Sequence, residues 1–157
     1  MRILTFFLPL LLLPLMGFVV RPAEEGIKWE SWNSGYPKAT KEKKIVLVDA
    51  YTAWCGWCKK MDADTYTDPE VIKTINKYFV PIKFNPEIAD MRYELNGQTY
   101  SGAELLMMLS NNQRLGYPTT YFILTTKNRL VIQPGYMKPV DFNQLLNSIV
   151  NEAASTN

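Results

Sequence analysis

The stretch IVLVDAYTAWCGWCK, residues 45–59, joins a continuous apolar run to a closely spaced pair of cysteines. Residues 45–48 are rich in β-branched side chains, as expected of a strand that is buried on both faces of a sheet. From Cys55 to about residue 66 the pattern turns helical. The cysteine pair therefore lies where a buried strand ends and a helix begins.

This placement predicts redox chemistry at the two cysteines. A thiol at a helix N-terminus feels the positive end of the helix dipole, which stabilises the thiolate. We expect Cys55 to be the first helical residue, exposed and acidic, and Cys58 to lie one turn deeper, shielded and within disulfide reach. The pair would then supply a nucleophilic and a resolving thiol. Two buried core cysteines, or half of an intermolecular zinc site, are the alternatives.

Composition narrows the possible functions. The 157 residues carry 17 Lys and Arg against 15 Asp and Glu, a net charge of +2, and 47% of them are hydrophobic. This is the profile of one globular domain, and no basic run suggests a nucleic-acid partner. The chain has no histidine, which excludes Ser-His-Asp and Cys-His catalysis and His-ligated metals. Its two cysteines are too few for a zinc or iron–sulfur site within one chain, so we expect no metal and no cofactor.

The N-terminus is typical of an export signal. A basic start at Arg2 is followed by an apolar run over residues 3–20 and then by Arg21-Pro22. Prolines at positions 9 and 14 fit a spanning helix poorly, although the lack of a clean cleavage site leaves a retained anchor as the alternative. Residues 1–22 are therefore predicted to be a signal peptide or N-terminal anchor, and residues 23–157 the domain.

The remaining pattern alternates strands and helices. We expect residues 33–44 to form a loop leading into a short helix, and Asn96-Gly97 to turn a hairpin. Asp68 before Pro69 marks a helix start. Strands are predicted near 27–29, 45–48, 79–85, 119–125 and 130–133, and helices near 55–66, 69–78, 103–110 and 139–153.

Together with Gly116-Tyr117-Pro118-Thr119, and with Gly135 before the last helix, the CxxC stretch resembles the thioredoxin-fold oxidoreductases. The resemblance extends over about residues 29–150 and is strongest to exported members, such as the periplasmic C-terminal domain of the thiol:disulfide interchange transporter. It implies an α/β, thioredoxin-like fold in which a central mixed β-sheet is flanked by helices on both faces. It also implies a periplasmic location, soluble or membrane-anchored, and a Cys55–Cys58 disulfide in the oxidised state.

The resemblance assigns roles to four further residues. Asp49 matches the buried acid that exchanges a proton with the second cysteine, and Lys83 matches the lysine that pairs with it. Pro118 matches the cis-proline facing the CxxC, which leaves the Tyr117 backbone free to pair with substrate. The alternatives are a structural aspartate, a surface lysine on an edge strand and an ordinary trans proline.

Several features fall outside that pattern. The dipeptide Gly56-Trp57 lacks the proline and histidine of strong oxidants, and residues 86–104 are either a partner-docking insertion or loop variation. Trp54 and Trp57 are candidate substrate-binding residues alongside Tyr117 and Pro118. Two clusters are interpreted as structural. These are the Met107-Met108 pair, expected in the core, and a solvated set of carboxylates comprising Asp62, Asp64, Asp68 and Glu70.

The sequence thus predicts a thiol-disulfide oxidoreductase that acts on exported proteins, most simply as a reductase. Its partners would be client proteins with disulfides or cysteine pairs, and a membrane thiol electron donor. Two alternatives remain. One is a redox-inactive peptide-binding or protein-binding module, and the other is a dedicated thiol donor for cytochrome c or copper-site maturation.

Overall fold

A computed structural model describes residues 26–155 of the chain. The predicted signal or anchor, residues 1–22, lies outside the described residues. None of the helices within the described range has the length and apolar character needed to cross a membrane. The elements follow in the order α1 Trp32–Glu42, β1 Ile45–Ala50, α2 Gly56–Asp64, α3 Pro69–Tyr78, β2 Phe79–Phe84, β3 Tyr93–Leu95, β4 Gln98–Tyr100, α4 Gly102–Leu109, β5 Thr119–Leu124, β6 Arg129–Pro134 and α5 Pro139–Ala154.

The central sheet has four strands in the order β2-β1-β5-β6. Strand β1 pairs in parallel with β2 and antiparallel with β5, which in turn pairs antiparallel with β6. All six residues of β1 are buried, as its apolar sequence predicts for a strand covered on both faces. The C-terminal end of β1 and the start of β5 meet where Ala50 lies opposite Thr119. The functional site is built at that end of the sheet.

Alternate side chains of β1 supply two hydrophobic cores, one on each face of the sheet. Val46 and Val48 pack with α1 and α4, while Ile45 and Leu47 pack with α2, α3 and α5. The predicted α/β fold, a mixed central sheet with helices on both faces, is confirmed.

Helix α1 begins earlier than the expected loop leading into a short helix over residues 33–44. Ser31 caps the helix, and the chain is helical from Trp32 despite Gly35 and Pro37. Gly35 serves close packing rather than a turn, because a Cβ atom there would lie 2.7 Å from Cγ1 of Ile82. The two residues that suggested a loop therefore lie within a helix that sits tightly on β2.

The strand expected at residues 27–29 is reduced to a single β-bridge one position further on. Glu30 bridges in parallel to Ile82. Its N–H donates to the carbonyl of Pro81 at 2.8 Å, and its carbonyl accepts from the N–H of Lys83 at 3.1 Å. The N-terminal segment is thus fixed along the outer edge of β2.

The remaining predicted elements form with small shifts of their ends. Asp68 caps α3 through the N–H groups of Glu70 and Val71, and Asn96-Gly97 turns the hairpin with positive φ angles of 53° and 77°. The hairpin packs on α1, where the indole N–H of Trp32 donates to the carbonyl of Glu94 at 2.9 Å.

The expectation that Met107 and Met108 belong to the core is wrong for Met108, which is exposed. The buried face of α4 is instead formed by Leu105 and Leu109. Residue 108 lies about 100° around the helix from residue 109, at the side of this buried face.

Candidate functional site: a disulfide at a helix start above a buried carboxylate

Cys55 and Cys58 form a disulfide at the start of α2, with Cα atoms 5.3 Å apart. Cys55 is the N-cap residue rather than the first helical residue, and its Sγ accepts a hydrogen bond from the N–H of Cys58 at 3.0 Å. No acidic side chain lies in the first turn of α2 to oppose the positive end of the helix dipole. On reduction, the same N–H group and dipole would stabilise a Cys55 thiolate.

The expected exposure of Cys55 is wrong for this oxidised state. Cys55 is 4% exposed and Cys58 2%. The physical reason is that the sulfur of Cys55 turns back over the helix start, where it is bonded to one cysteine sulfur and hydrogen-bonded to the backbone. A substrate therefore has only a narrow approach to the reacting sulfur.

Pro118 lies at the same end of the sheet as the disulfide. The Tyr117–Pro118 peptide bond is cis, and Pro118 directly precedes Thr119, the partner of Ala50 in the sheet register. The loop is held by two hydrogen bonds: Thr119 Oγ1 donates to the carbonyl of Gly116 at 2.6 Å, and the N–H of Gly135 donates to the carbonyl of Pro118 at 2.8 Å.

Asp49 lies one residue before the end of β1 and is 1% exposed. Its Oδ2 accepts a hydrogen bond from Lys83 Nζ at 2.6 Å, while its Oδ1 is buried with no hydrogen-bond partner in the described chain. Burial is the largest influence on this carboxyl and raises the pKa of Asp49, and the attraction of Lys83 only partly offsets it. Asp49 can therefore bind and release a proton closer to neutral pH than an exposed aspartate.

Lys83 also contacts Asp62, a member of the carboxylate cluster that the sequence predicts to be solvated. Asp62 Oδ1 hydrogen-bonds to Lys83 Nζ, so one ammonium group bridges two carboxylates. Burial alone would lower the pKa of Lys83, but the two carboxylates together raise it and keep the side chain charged. The alternative of a surface lysine on an edge strand is met only in part, since β2 is an edge strand but the Lys83 side chain is 21% exposed and pairs with Asp49.

A signal for Asp62 was present in the sequence. It follows Cys58 by one helical turn, and residues four apart share a helix face. The face of α2 that carries Cys58 therefore also carries a carboxylate that reaches the partner of Asp49. This links the second cysteine to the buried acid through one helix face and one lysine.

Two pairs of aromatic rings flank the disulfide. Trp54 lies edge-on to Tyr117 with ring centroids 5.9 Å apart, and its indole N–H donates to Glu87 at 2.9 Å. Trp57 lies 5.5 Å from Tyr136, whose hydroxyl donates to Asp64 at 2.8 Å. Trp54 and Trp57 are 68% and 60% exposed, so large apolar rings face solvent beside the reacting sulfurs. Glu87 and Tyr136 were not predicted as site residues from the sequence. Glu87 holds Trp54 through a hydrogen bond, and Tyr136 contacts the ring of Trp57.

A protein-family model described as Thioredox_DsbH, Protein of unknown function, DUF255, matches residues 15–155. The chain belongs to this family. A thioredoxin from Thermus thermophilus has the same fold, with a TM-score of 0.64 and 16% identity over 83% of this chain and 92% of that one. The oxidised C-terminal domain of DsbD from Neisseria meningitidis matches with a TM-score of 0.52 and 21% identity over 76% of this chain and 97% of the domain.

Among curated proteins, the thiol:disulfide interchange protein DsbD of Colwellia psychrerythraea is 25% identical over 114 residues, which are 71% of this chain. The match spans only 17% of that relative, so the chain corresponds to a small part of it. The predicted resemblance to thioredoxin-like proteins of this kind is confirmed. The chain therefore has the thioredoxin fold and carries a CxxC disulfide at the start of α2.

Proposed function

We propose that this protein reduces disulfides in exported client proteins through the Cys55–Cys58 pair. The observation that carries the proposal is the placement of Cys55 Sγ at the N-cap of α2, where it accepts the Cys58 N–H at 3.0 Å. A reduced sulfur in this position is stabilised as a thiolate, which is the attacking form in disulfide exchange.

The reaction begins when the Cys55 thiolate attacks one sulfur of a client disulfide. The client S–S bond breaks, a mixed disulfide forms with Cys55, and the second client sulfur leaves as a thiolate. Cys58 then attacks Cys55 Sγ, which releases the first client sulfur and leaves the Cys55–Cys58 disulfide present in the structure. Two electrons pass to the client, and a membrane thiol donor would return them to the protein.

Asp49 is proposed to accept the Cys58 proton in the second step. Cys58 and Asp49 are both almost fully buried, and the α2 face that carries Cys58 also carries Asp62, which shares Lys83 with Asp49. Its raised pKa makes the carboxylate a stronger base than an exposed aspartate. Lys83 would hold the carboxylate in place while the proton moves.

The direction of exchange is proposed from the residues between and around the cysteines. Gly56-Trp57 provides neither the proline nor the histidine that strong oxidants of this fold commonly place there, and the chain has no histidine elsewhere. With fewer groups that over-stabilise the thiolate, the reduced pair remains a good electron donor. Export to the periplasm is proposed from the pattern of residues 1–22.

The aromatic rings beside the disulfide are proposed to bind the client. Trp54 and Trp57 present exposed apolar surface on either side of the sulfurs, and Tyr117 precedes the cis proline at the sheet edge of the site. An extended segment around a client cysteine could pair with the Tyr117 backbone while its neighbouring apolar side chains contact the two indoles.

Trapping of the mixed disulfide tests this proposal. Cys58→Ser removes the resolving thiol, so we expect this variant to accumulate a covalent complex with an unfolded, disulfide-containing model protein. Cys55→Ser is the matched control and should form none, because Cys58 Sγ does not occupy the N-cap position that stabilises the attacking thiolate. Equal trapping by both variants, or by neither, would contradict the assigned roles and favour a redox-inactive binding module.

A further inference from the structure

Three aromatic rings surround the ammonium group that bridges the two carboxylates. Lys83 Nζ lies 4.8 Å from the ring centroid of Trp29, 5.1 Å from that of Tyr51 and 5.1 Å from that of Tyr66. Each ring is within the range at which an aromatic face attracts a cation, and the attraction grows as water is removed. We call Trp29, Tyr51 and Tyr66 the aromatic box.

The three rings come from different parts of the chain. Tyr51 directly follows β1 and Tyr66 lies just after α2, so both belong to the frame that carries Asp49 and the cysteines. Trp29 instead comes from the N-terminal segment before α1. This segment is fixed to β2 by the two backbone hydrogen bonds of Glu30, to Pro81 and to Lys83 itself.

Trp29 is also held by its ring neighbour. Its ring meets that of Tyr66 edge-on, with centroids 4.9 Å apart and planes at 80°. Tyr66 is 5% exposed, and its hydroxyl group is buried. The indole therefore has a defined position against both the lysine and a buried wall of the site.

We propose that Trp29 is a positioning residue for the second step of exchange, covering the Lys83 ammonium and keeping water away from the Lys83–Asp49 ion pair. The inference rests on the proposed function, because it concerns the proton transfer from Cys58. It places a residue of the N-terminal segment, far from the cysteines in sequence, in control of the buried acid. Trp29 touches neither substrate nor the reacting sulfurs and acts through Lys83.

The charged and titratable groups around the ion pair set the expected direction. Three groups act on Asp49: the ammonium of Lys83 on β2, the carboxylate of Asp62 on α2 and the neutral hydroxyl group of Tyr66. The ring of Tyr51 lies over the lysine. Since burial is the largest cause of the raised pKa of Asp49, admitting water should lower that pKa. A Trp29 substitution leaves the Asp62 and Tyr66 side chains unchanged, and Trp29→Phe keeps a ring against Tyr66, so comparing the two variants assigns the change to the lost ring.

The test compares the full-length protein with Trp29→Ala, Trp29→Phe and Ile27→Ala. Ile27 belongs to the same segment and packs against the same core, but it has no aromatic ring that could contact Lys83. The Ile27→Ala variant therefore controls for loosening of the segment. The pH dependence of the rate at which Cys58 resolves a preformed mixed disulfide is measured for each. We expect the midpoint of Trp29→Ala to fall by about half a pH unit or more, while Trp29→Phe and Ile27→Ala stay close to wild type.

A second measurement does not depend on turnover. The 13C shift of the Asp49 carboxyl group, followed by NMR through a pH titration of the oxidised full-length protein, should show the same ordering of the four proteins. If folded Trp29→Ala titrates Asp49 as the wild type does, or if Ile27→Ala shifts it equally, the inference is overturned. If instead the carboxyl shifts as expected but neither the wild type nor any variant reduces a disulfide, Trp29 shields the Lys83–Asp49 pair but the proposed function fails.

Discussion

Two lysine–aspartate pairs lie at helix α2. The inner pair lies beneath the helix, and the outer pair lies on its exposed surface. In the inner pair, Lys83 Nζ lies 2.6 Å from Asp49, and in the outer pair, Lys60 Nζ lies 2.9 Å from Asp64. The contacts are nearly alike, yet the two carboxyls respond in opposite directions. The pKa of Asp49 is raised, chiefly by burial, whereas the hydrogen bond from Lys60 lowers the pKa of Asp64 to about 2.

The difference shows that burial, more than the ion pair, decides what each carboxyl can do. Water solvates Asp64 and its lysine alike, so its ionised form is favoured at every physiological pH. Asp49 is buried and one of its oxygens has no hydrogen-bond partner among the described residues, so its ionised form is costly and it is better suited to take up a proton. The outer pair instead serves as a brace, since Asp64 accepts from the hydroxyl of Tyr136 beneath Trp57.

The largest effect should come from removing the proton acceptor of the inner pair. We expect Asp49→Asn to slow the resolution of a mixed disulfide at neutral pH by about 100-fold, the size usual for losing a positioned base. Stopped-flow measurement of client release would show this. The matched control is Asp64→Asn, which removes the outer carboxylate of a similar pair and should change the rate less than about twofold. Equal slowing by both substitutions would contradict the distinction between the pairs.

A smaller effect is expected from Asp62. Its charge contributes to the raised pKa of Asp49, so Asp62→Asn should shift the pH–rate midpoint to lower pH. The rate near that midpoint should change by about two- to fivefold, because Asp62 is partly solvated and such pairs are individually weak. If the midpoint rises instead, Asp62 acts mainly by holding Lys83 in place rather than through its own charge.

The smallest effect concerns the pH dependence of stability. A carboxyl whose pKa is raised by folding stabilises the folded state below its unfolded pKa, and this contribution is lost as pH rises through the folded value. Asp49→Asn removes that titration. The stability of the variant relative to wild type, measured as the difference in free energy of unfolding in urea, should therefore be higher at about pH 8 than at about pH 5.

Asp64→Asn should show the opposite sign in a different range of pH. The pKa of Asp64 is lowered from 3.8 to about 2, so the stability it contributes is present above its unfolded pKa and is lost as pH falls between these values. Variants that change in the same direction over the same range would mean that the two carboxyls do not differ as described.

The inner pair also shows how far the sequence alone could be interpreted. Local patterns predict strand β1, the CxxC at the start of a helix and Asp68 as a helix cap. Each of these features lies where the sequence predicts. Asp49 and Lys83 were proposed only through resemblance, because nothing local shows that β1 and β2 pair with Asp49 opposite Lys83. That register is a property of the sheet.

Two of the misses share a cause, which is contact between distant parts of the chain. Gly35 and Pro37 suggest a loop locally, and only the approach of α1 to Ile82 explains why the glycine lies within a helix. Trp29 suggested a strand, and its contact with Lys83 depends on the bridge between the N-terminal segment and β2. Asp62 was different, since its one-turn spacing from Cys58 could have been recognised.

The reduction potential of the Cys55–Cys58 pair tests the central proposal most directly. The full-length protein would be equilibrated in thiol buffers of defined potential, and the fraction of the disulfide measured after alkylation. A reductase should have a value near the roughly −270 mV of thioredoxin. A value near the roughly −120 mV of a strong periplasmic oxidant would contradict the proposed direction of electron flow.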